Sequence, residues 1–312
     1  MKELVIISGK GGTGKTSLTA SLAAILSRSK KTVCVDCDVD AADLHLVLAP
    51  TLVSEGVFTS GREARIDPDT CTGCGLCAKL CRFDGIEALP AGADGIAKYQ
   101  VVSCEGCGVC FDHCPAGAIS FEERDCGIKR QSSTRFGPLF HARLYPGAEN
   151  SGKLVSLLRK EAREYALASK DGDAVDLILC DGSPGTGCPV IASITGADAV
   201  LVVTEPTLSG RHDLERVVAL CRHFGVKAMV AVNKADINRE ESARLSAWCD
   251  GKAIPLVAEI PWNRTVTAAQ TAETSTVEYI AQHPTDIGDD GRALSASLES
   301  LAQRVQEELW KA

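Results

Sequence analysis

The stretch SGKGGTGKT, from Ser8 to Thr16, decides the fold of this chain. It fits the pattern G-x-x-x-x-G-K-[ST] and lies between an apolar run, LVII, and a helical pattern that extends to about Ser27. The glycines let successive backbone N–H groups point at phosphate oxygens, and the N-terminus of the following helix adds its dipole. The stretch therefore predicts a loop that binds the phosphates of a nucleotide.

Individual side chains of the loop have separate expected roles. Lys15 is expected to reach the β and γ phosphates, and the Thr16 hydroxyl is expected to hold Mg²⁺. The other residues expected to contact the nucleotide are Gly9, Gly11, Gly12, Thr13, Gly14 and Ser17. A glycine-rich turn that binds nothing is the alternative, and the strand–loop–helix setting argues against it.

Apolar runs recur along the rest of the chain, and most of them end in acidic or polar residues. They are KTVCVDCD, LILCDGSPG, DAVLVVTEP, KAMVAVNKAD and IPLVAEIPW. Strands that are apolar throughout and alternate with helices indicate a parallel sheet covered on both faces. The sequence predicts an α/β fold with a doubly wound, mostly parallel sheet, whose functional loops lie at the C-terminal ends of the strands.

The loop carries a second lysine, Lys10, in KGGTGKT. This pattern resembles the deviant Walker A motif of the MinD, ParA, Mrp and nitrogenase iron-protein superfamily of P-loop ATPases. In that superfamily the extra lysine crosses a dimer interface to the partner's nucleotide. The resemblance implies an ATP-sandwiched homodimer in which Lys10 stabilises charge on the transferring phosphate. It also implies a Mg²⁺-dependent ATPase that is slow without a partner.

Acidic residues that follow two of the strands match the same superfamily. By that match Asp38 positions or activates the attacking water, Asp36 helps to organise Mg²⁺, and Asp181 takes the Walker B position. The alternative for Asp36 and Asp38 is capping of the following helix. Capping is also the role expected of Asp40 and Asp43.

Two further segments match the superfamily. Residues 183–187, SPGTG, look like switch II, which moves when the γ-phosphate leaves. Asn233, in VAVNKAD, resembles the asparagine that contacts adenine. Asp236 as a guanine-reading residue is the competing interpretation, and it fits the ATPase motifs less well.

Eight of the fifteen cysteines form two runs with the spacing C-x2-C-x2-C-x3-C, and the runs belong to an internal repeat. This spacing is typical of bacterial ferredoxins, in which the fourth cysteine of each run ligates the other cluster. It predicts one 4Fe–4S cluster held by Cys71, Cys74, Cys77 and Cys114, and a second held by Cys104, Cys107, Cys110 and Cys81. Zinc is the alternative, but its structural sites typically use pairs of C-x2-C that lie farther apart.

The cysteine runs depart from the ferredoxin pattern at one place. Arg82 follows the first run where the second run has Pro115, and this change removes no ligand. Glycines inside the runs leave room for backbone N–H groups to donate to cluster sulfurs, and they are Gly73, Gly75, Gly106 and Gly108.

Two cysteines outside the runs, Cys37 and Cys188, lie beside the nucleotide loops in the sequence. Core packing or incidental placement is the role expected of them.

The cysteine-rich segment interrupts the α/β pattern. Residues 61–122 are therefore predicted to form an inserted bacterial-type ferredoxin domain of the α+β class. The P-loop ATPase domain is predicted to be discontinuous, with residues 1–60 and 123–312. Residues 123–150 are expected to contain β segments that lead to a helix beginning near Asn150.

Composition narrows the classes of partner. A net charge of −8 argues against a nucleic-acid partner, and 45% hydrophobic with 24% charged residues is ordinary for a globular protein. The run LVII is too short for a secretory signal, which favours the cytoplasm. The final stretch ALSASLESLAQRVQEELW is amphipathic but carries too little positive charge for stable membrane anchoring, so it is expected to pack on the sheet.

Three functions fit these motifs together. The first is an ATPase that couples a nucleotide-driven dimer switch to electron transfer or redox sensing through two 4Fe–4S clusters. The others are an iron–sulfur cluster assembly or delivery factor, and a MinD-like positioning or regulatory ATPase with redox sensing. A complete set of eight ligands favours permanent redox centres, which implies a redox or iron–sulfur partner protein.

Overall fold

The computed structural model describes residues 1–90, 97–168 and 174–311. Its main sheet is built from β1 (Lys2–Ser8), β2 (Thr32–Asp36), β3 (Thr51–Ile66), β6 (Ile119–Thr134), β7 (Gly137–Leu144), β8 (Leu177–Pro184), β9 (Ala199–Thr204), β10 (Lys227–Asn233) and β11 (Leu256–Ile260). A separate antiparallel pair consists of β4 (Ile86–Leu89) and β5 (Lys98–Val101).

The main sheet is mostly parallel, as predicted. Its strand order is β11-β10-β9-β1-β8-β2-β7-β6-β3, and every neighbouring pair from β11 to β7 is parallel. The central strand β1 is buried along almost its whole length, which explains its continuous run of apolar residues. The pairing of β2 with β8 sets Asp36 directly beside Asp181 at the C-terminal ends of both strands.

Helices connect the strands. They are α1 (Lys15–Leu26), α2 (Leu44–Leu48), α3 (Leu76–Leu80), α4 (Val109–Asp112), α5 (Ser151–Ala168), α6 (Cys188–Ile194), α7 (Leu208–His223), α8 (Arg239–Gly251), α9 (Thr265–Thr271), α10 (Thr276–Gln282) and α11 (Gly288–Trp310). One hydrophobic cluster joins α1, α10 and α11 to the sheet through residues such as Leu22, Ile280 and Leu298. The C-terminal stretch therefore packs on the sheet, as expected. Within the described ranges, no helix has the length and apolar character needed to cross a bilayer.

The chain folds into two units. One contains Met1–Gly56 and Ile128–Ala312, and the other is Val57–Gly127. The predicted boundaries at 60/61 and 122/123 thus differ from the observed ones by a few residues. The reason is that β3 and β6 each run across a boundary without a break, so the change in composition does not coincide with it.

Candidate functional site

The loop between β1 and α1 has a backbone that requires glycine. Gly14 has φ of +86°, and a Cβ there would lie 2.3 Å from Nδ2 of Asn233. That Nδ2 donates to the Thr13 carbonyl at 2.8 Å, so Asn233 braces the loop as well as lining the cavity beside it. Gly9 serves close packing, because a Cβ there would lie 2.3 Å from the Cβ of Asp213 on α7.

Lys15 lies between two carboxylates. Its Nζ is 2.9 Å from Oδ1 of Asp181 and 3.7 Å from Oδ2 of Asp38. Burial lowers the pKa of Lys15, but the two carboxylates outweigh it and raise the pKa above its ordinary value. The ammonium therefore stays charged, as phosphate binding requires.

The Asp181 carboxylate also organises the first turn of α1. It accepts hydrogen bonds from the hydroxyls of Thr16, at 2.7 Å, and Thr19, at 2.9 Å. Asp181 is 1% exposed, so its charge acts where water screens it little. A threonine hydroxyl and a carboxylate at this distance form the donor set that Mg²⁺ uses beside a phosphate chain.

A cavity of about 860 Å³ opens beside these groups, within the range of ligand-binding pockets. It is lined by Gly11, Gly12, Thr13, Gly14, Lys15, Thr16, Ser17, Asp38 and Asn233, among others. The hydroxyl of Thr13 is buried and has no hydrogen-bond partner within the described part of the chain. A buried hydroxyl without a partner is costly, so a ligand that accepts its hydrogen bond would fit this wall.

The acidic residues after β2 have different surroundings. Asp36 is fully buried and accepts the N–H groups of Asp38 and Leu44, each at 3.1 Å. Burial, and then the neighbouring charge of Asp181, raise the pKa of Asp36. Burial raises the pKa of Asp38 to about 6, partly offset by Lys15.

One capping expectation was wrong. Asp43 lies at the N-cap of α2 without a side-chain hydrogen bond to that helix. The N–H of Leu44, the first residue of α2, is bonded by Asp36 instead. Asp36 therefore shapes the loop that carries Asp38, while Asp38 and Asp40 both line the cavity.

Lys10 has partners within its own subunit. Its Nζ lies 3.3 Å from Oε2 of Glu205 and 3.4 Å from the hydroxyl of Ser209. Lys234 approaches the other oxygen of Glu205, at 2.5 Å. Burial opposes ionisation of Glu205, but the hydrogen bonds from Lys234 and Lys10 prevail and lower its pKa. Sequence reasoning missed Glu205. It directly follows the buried strand β9, in the same way that Asp181 follows the apolar residues LILC in β8.

The segment that resembles switch II, residues 183–187, is partly strand. Ser183 belongs to β8, is 2% exposed, and donates its hydroxyl to the Cys37 carbonyl at 2.7 Å. The loop begins at Gly185, whose N–H donates to the Ser8 carbonyl at 2.8 Å. Arg216 donates to the hydroxyl of Thr186 at 3.2 Å. Ser183 and Pro184 therefore belong to β8, and the remaining residues of the segment form the loop before α6.

Trp262 and Gln270 line the cavity and were not identified from the sequence. Oδ1 of Asp236 accepts the N–H of Trp262 at 2.6 Å, which gives Asp236 a role in fixing the cavity wall. Gln270 donates to the hydroxyl of Ser17 at 3.0 Å. A periodicity analysis could not find them, because both follow β11 in the chain and reach the cavity only through the fold.

The unit Val57–Gly127 contains two small cavities lined by cysteines. One is lined by Cys71, Cys74, Cys77 and Cys114, and the other by Cys81, Cys104, Cys107 and Cys110. Three cysteines of one run and the fourth of the other thus surround each cavity. This grouping is the one that the ferredoxin spacing predicts for the ligands.

Backbone groups around these cysteines also follow the repeat. The helices α3 and α4 begin after Gly75 and Gly108, which have φ of +72° and +76°. Backbone N–H groups of Ala64 and Gly106 approach Sγ of Cys104, each at 3.4 Å. Such donors stabilise thiolates that ligate iron.

A single metal ion does not fit the same side chains. Among the residues that the structure describes, no three His, Cys, Asp or Glu side chains are arranged to hold one ion. A 4Fe–4S cluster keeps its thiolates farther apart than zinc does, because several iron and sulfide atoms lie between them. Four cysteine thiols around each cavity are the donor type that a 4Fe–4S cluster uses.

The remaining cysteines singled out in the sequence differ in exposure. Cys37 is buried, in line with its expected packing role, and Cys188 is exposed at the start of α6. Cys126, in the same unit as the two runs, is buried and donates its thiol to the Ser60 carbonyl at 3.2 Å.

Comparison with known proteins identifies the family. Residues 4–276 match CbiA, the CobQ/CobB/MinD/ParA nucleotide binding domain. The chain belongs to this family. Its membership agrees with the P-loop and the mostly parallel sheet.

Individual relatives span most of the chain. An uncharacterized protein of Methanocaldococcus jannaschii is 33% identical over 238 residues, which are 76% of this chain and 79% of the relative. The septum site-determining protein MinD of Thermotoga maritima is 21% identical over 312 residues, covering 98% of this chain and 88% of the relative.

Solved structures show the same fold. MinD of Pyrococcus horikoshii, complexed with Mg-ADP, aligns with a TM-score of 0.59 and 19% identity, covering 98% of this chain and 96% of that chain. At this identity the likeness establishes the fold, and the roles of this chain's residues rest on their own geometry.

Proposed function

We propose that this protein is a cytoplasmic ATPase that couples a nucleotide-driven dimer switch to electron transfer or redox sensing through two 4Fe–4S clusters. The observation that carries the proposal is the presence of two features in one chain. A P-loop cavity is lined by Lys15 and Thr16, which both donate to the buried carboxylate of Asp181. Two further cavities are each lined by four cysteines grouped across the repeat.

The nucleotide part of the proposal rests on the charged groups around the cavity. Lys15 would bind the phosphates, and Thr16 with Asp181 would hold Mg²⁺. Water would attack the γ-phosphorus while the bond to the β–γ bridging oxygen breaks, giving ADP and phosphate. Asp38, 3.7 Å from Lys15 at the cavity wall, would position that water and accept its proton.

The dimer part of the proposal rests on Lys10. Family relatives include MinD, and the deviant Walker A pattern places a second lysine in the loop. Its side chain is 35% exposed, so it can leave its own subunit for a second copy of the chain. In that dimer Lys10 would stabilise the charge that develops on the partner's transferring phosphate.

The iron–sulfur part of the proposal rests on the eight cysteine side chains. When bound, each cluster would accept and donate one electron. Cys71, Cys74, Cys77 and Cys114 would hold one cluster, and Cys104, Cys107, Cys110 and Cys81 the other. Backbone donors to Cys104 would favour its thiolate form. A redox or iron–sulfur protein would be the electron-exchange partner.

The deciding experiment is oxygen-free ATP turnover with the clusters first oxidised and then reduced. We expect turnover to differ between the two states in the wild type. Lys15→Ala, which removes the phosphate-binding ammonium, is expected to lack turnover in both states. Equal wild-type turnover in both states would overturn the coupling while leaving the ATPase assignment intact.

A further inference from the structure

We propose that Glu205 is a positioning residue that holds Lys10 within its own subunit, and that breaking this contact is the step that permits the ATP-bridged dimer. The inference rests on the proposed function and adds a regulatory contact to its site. Lys10 cannot bind Glu205 of its own subunit and reach a second subunit's nucleotide at the same time.

The contact is built by two structural elements. Glu205 follows β9 and is mostly buried, with 13% of its side chain exposed, whereas Lys10 is on the open side of the loop. Ser209, in the first turn of α7, provides a second contact to the Lys10 ammonium at 3.4 Å. The N-cap Thr207 accepts the N–H of Gly210 at 3.0 Å, which fixes this turn.

Lys234 lowers the energetic cost of releasing Lys10 from Glu205. It approaches Glu205 at 2.5 Å and remains beside the carboxylate when Lys10 departs. A buried carboxylate that lost its last cation would oppose the change strongly, but one that keeps a cation would not. The Lys10–Glu205 pair is also the longer of the two, at 3.3 Å against 2.5 Å, and is the one expected to open.

The same cluster touches the phosphate loop. Nζ of Lys234 donates to the Gly12 carbonyl at 3.2 Å, and Glu205 therefore contacts the loop through two lysines. Phosphates that occupy the loop would compete with Glu205 for the nearby positive charge. This competition would link nucleotide binding to release of Lys10.

The test is the dimer association constant of oxygen-free full-length protein, measured by analytical ultracentrifugation with a non-hydrolysable ATP analogue. Glu205→Gln is expected to raise the constant roughly tenfold, because a long, partly exposed ion pair is worth a factor of a few and each dimer breaks two of them. Glu299→Gln is the matched control, since Glu299 pairs with Arg28 on the surface, and it should leave the constant unchanged.

A double-mutant cycle shows whether the effect passes through Lys10. Lys10→Ala alone is expected to weaken or abolish the dimer, and adding Glu205→Gln should not restore it, because the lysine that Glu205 holds is absent. An unchanged or smaller constant for Glu205→Gln alone, or an equal gain in both backgrounds, would overturn the inference.

If Glu205→Gln does not fold, Ser209→Ala provides a second test, because it removes the other contact to Lys10. It should shift the constant in the same direction, and no shift counts against the inference. A wild type that binds the analogue without dimerising would refute the proposed dimer switch, and the inference with it.

Discussion

Lys10 and Lys15 belong to the same loop but have different surroundings. Lys15 is buried between the carboxylates of Asp181 and Asp38, whereas Lys10 is more exposed and contacts Glu205. Burial between opposite charges suits a residue that holds phosphate in its own subunit. Exposure suits a residue that leaves for another subunit.

Lys10→Ala tests this division of roles. We expect ATP to bind with about wild-type affinity, because Lys15, Thr16 and Asp181 remain in place. ATP-dependent dimerisation or turnover should be lost, with turnover falling about 10³-fold if Lys10 acts as a trans charge. Equilibrium binding of a fluorescent ATP analogue and phosphate release measure the two properties. Wild-type turnover in this variant would remove the trans role.

A buried histidine makes stability depend on pH. His141 is 6% exposed, its Nε2 lies 3.0 Å from the Ser132 hydroxyl, and its ring stacks on His45 at 5.7 Å. Burial first, and then the charges of His45 and Arg130, lower the pKa of His141 to about 4. The unfolded chain therefore takes up this proton near pH 6.5, well before the folded chain does.

The free energy of unfolding should consequently fall as pH drops from about 6.5 to about 4, with His141 contributing a loss of about 3 kcal/mol. His141→Gln keeps a hydrogen-bonding partner for Ser132 and does not titrate. Oxygen-free urea unfolding at several pH values should show a shallower pH dependence in this variant. Identical pH dependence in the two proteins would show that another group is responsible.

At the scale of elements, the buried strands were easier to predict than the exposed one. The apolar runs that became β1, β2, β8, β9, β10 and β11 were identified because both faces of these strands are covered. The edge strand β3 was missed, since most of its residues are exposed and it has no apolar run. Edge strands are fixed by pairing with a neighbour more than by their own composition.

The helix α10 depends on its first turn. The Ser275 hydroxyl accepts the N–H of Glu278 at 3.2 Å, and the Glu278 carboxylate accepts the N–H of Ser275 at 3.0 Å. Ser275→Ala should lower the free energy of unfolding by about 1 kcal/mol, because it leaves a helix N–H without a partner. Chemical denaturation measures the change.

Ser297→Ala is the matched control for that substitution. Ser297 is half-buried in the middle of α11, and its hydroxyl donates only to the Ala293 carbonyl of the same helix at 2.9 Å. Its replacement should change stability by less than about 0.5 kcal/mol. Equal effects of the two substitutions would contradict a capping role for Ser275.

At the scale of the whole molecule, the two cysteine runs give a test of ligand grouping. If the fourth cysteine of each run serves the other cluster, Cys81 and Cys104 belong to the same cluster. Cys81→Ala with Cys104→Ala should then leave about four iron atoms per chain of the expected eight, whereas Cys71→Ala with Cys81→Ala should leave almost none. Iron and sulfide analysis after oxygen-free reconstitution measures both.

Cys126→Ala is the control, because Cys126 lies in the same unit and lines neither cavity. It should retain about eight iron atoms. The reverse result for the two double variants would show that each run holds its own cluster. Zinc without iron in the wild type would remove the cluster proposal.

The sequence by itself determined the local chemistry of this protein: the phosphate loop, the apolar strands and the spacing of the cysteines. These features are readable because backbone turns and burial periodicity depend on neighbouring residues. The tertiary structure decided which distant side chains meet. Lys15 and Asp181 are 166 residues apart in the chain, and neither Glu205 beside Lys10 nor Asp36 beneath α2 has a local pattern that predicts its partner. Such contacts arise from the order in which parallel strands pair, and that order brings the ends of separate strands to one edge of the sheet.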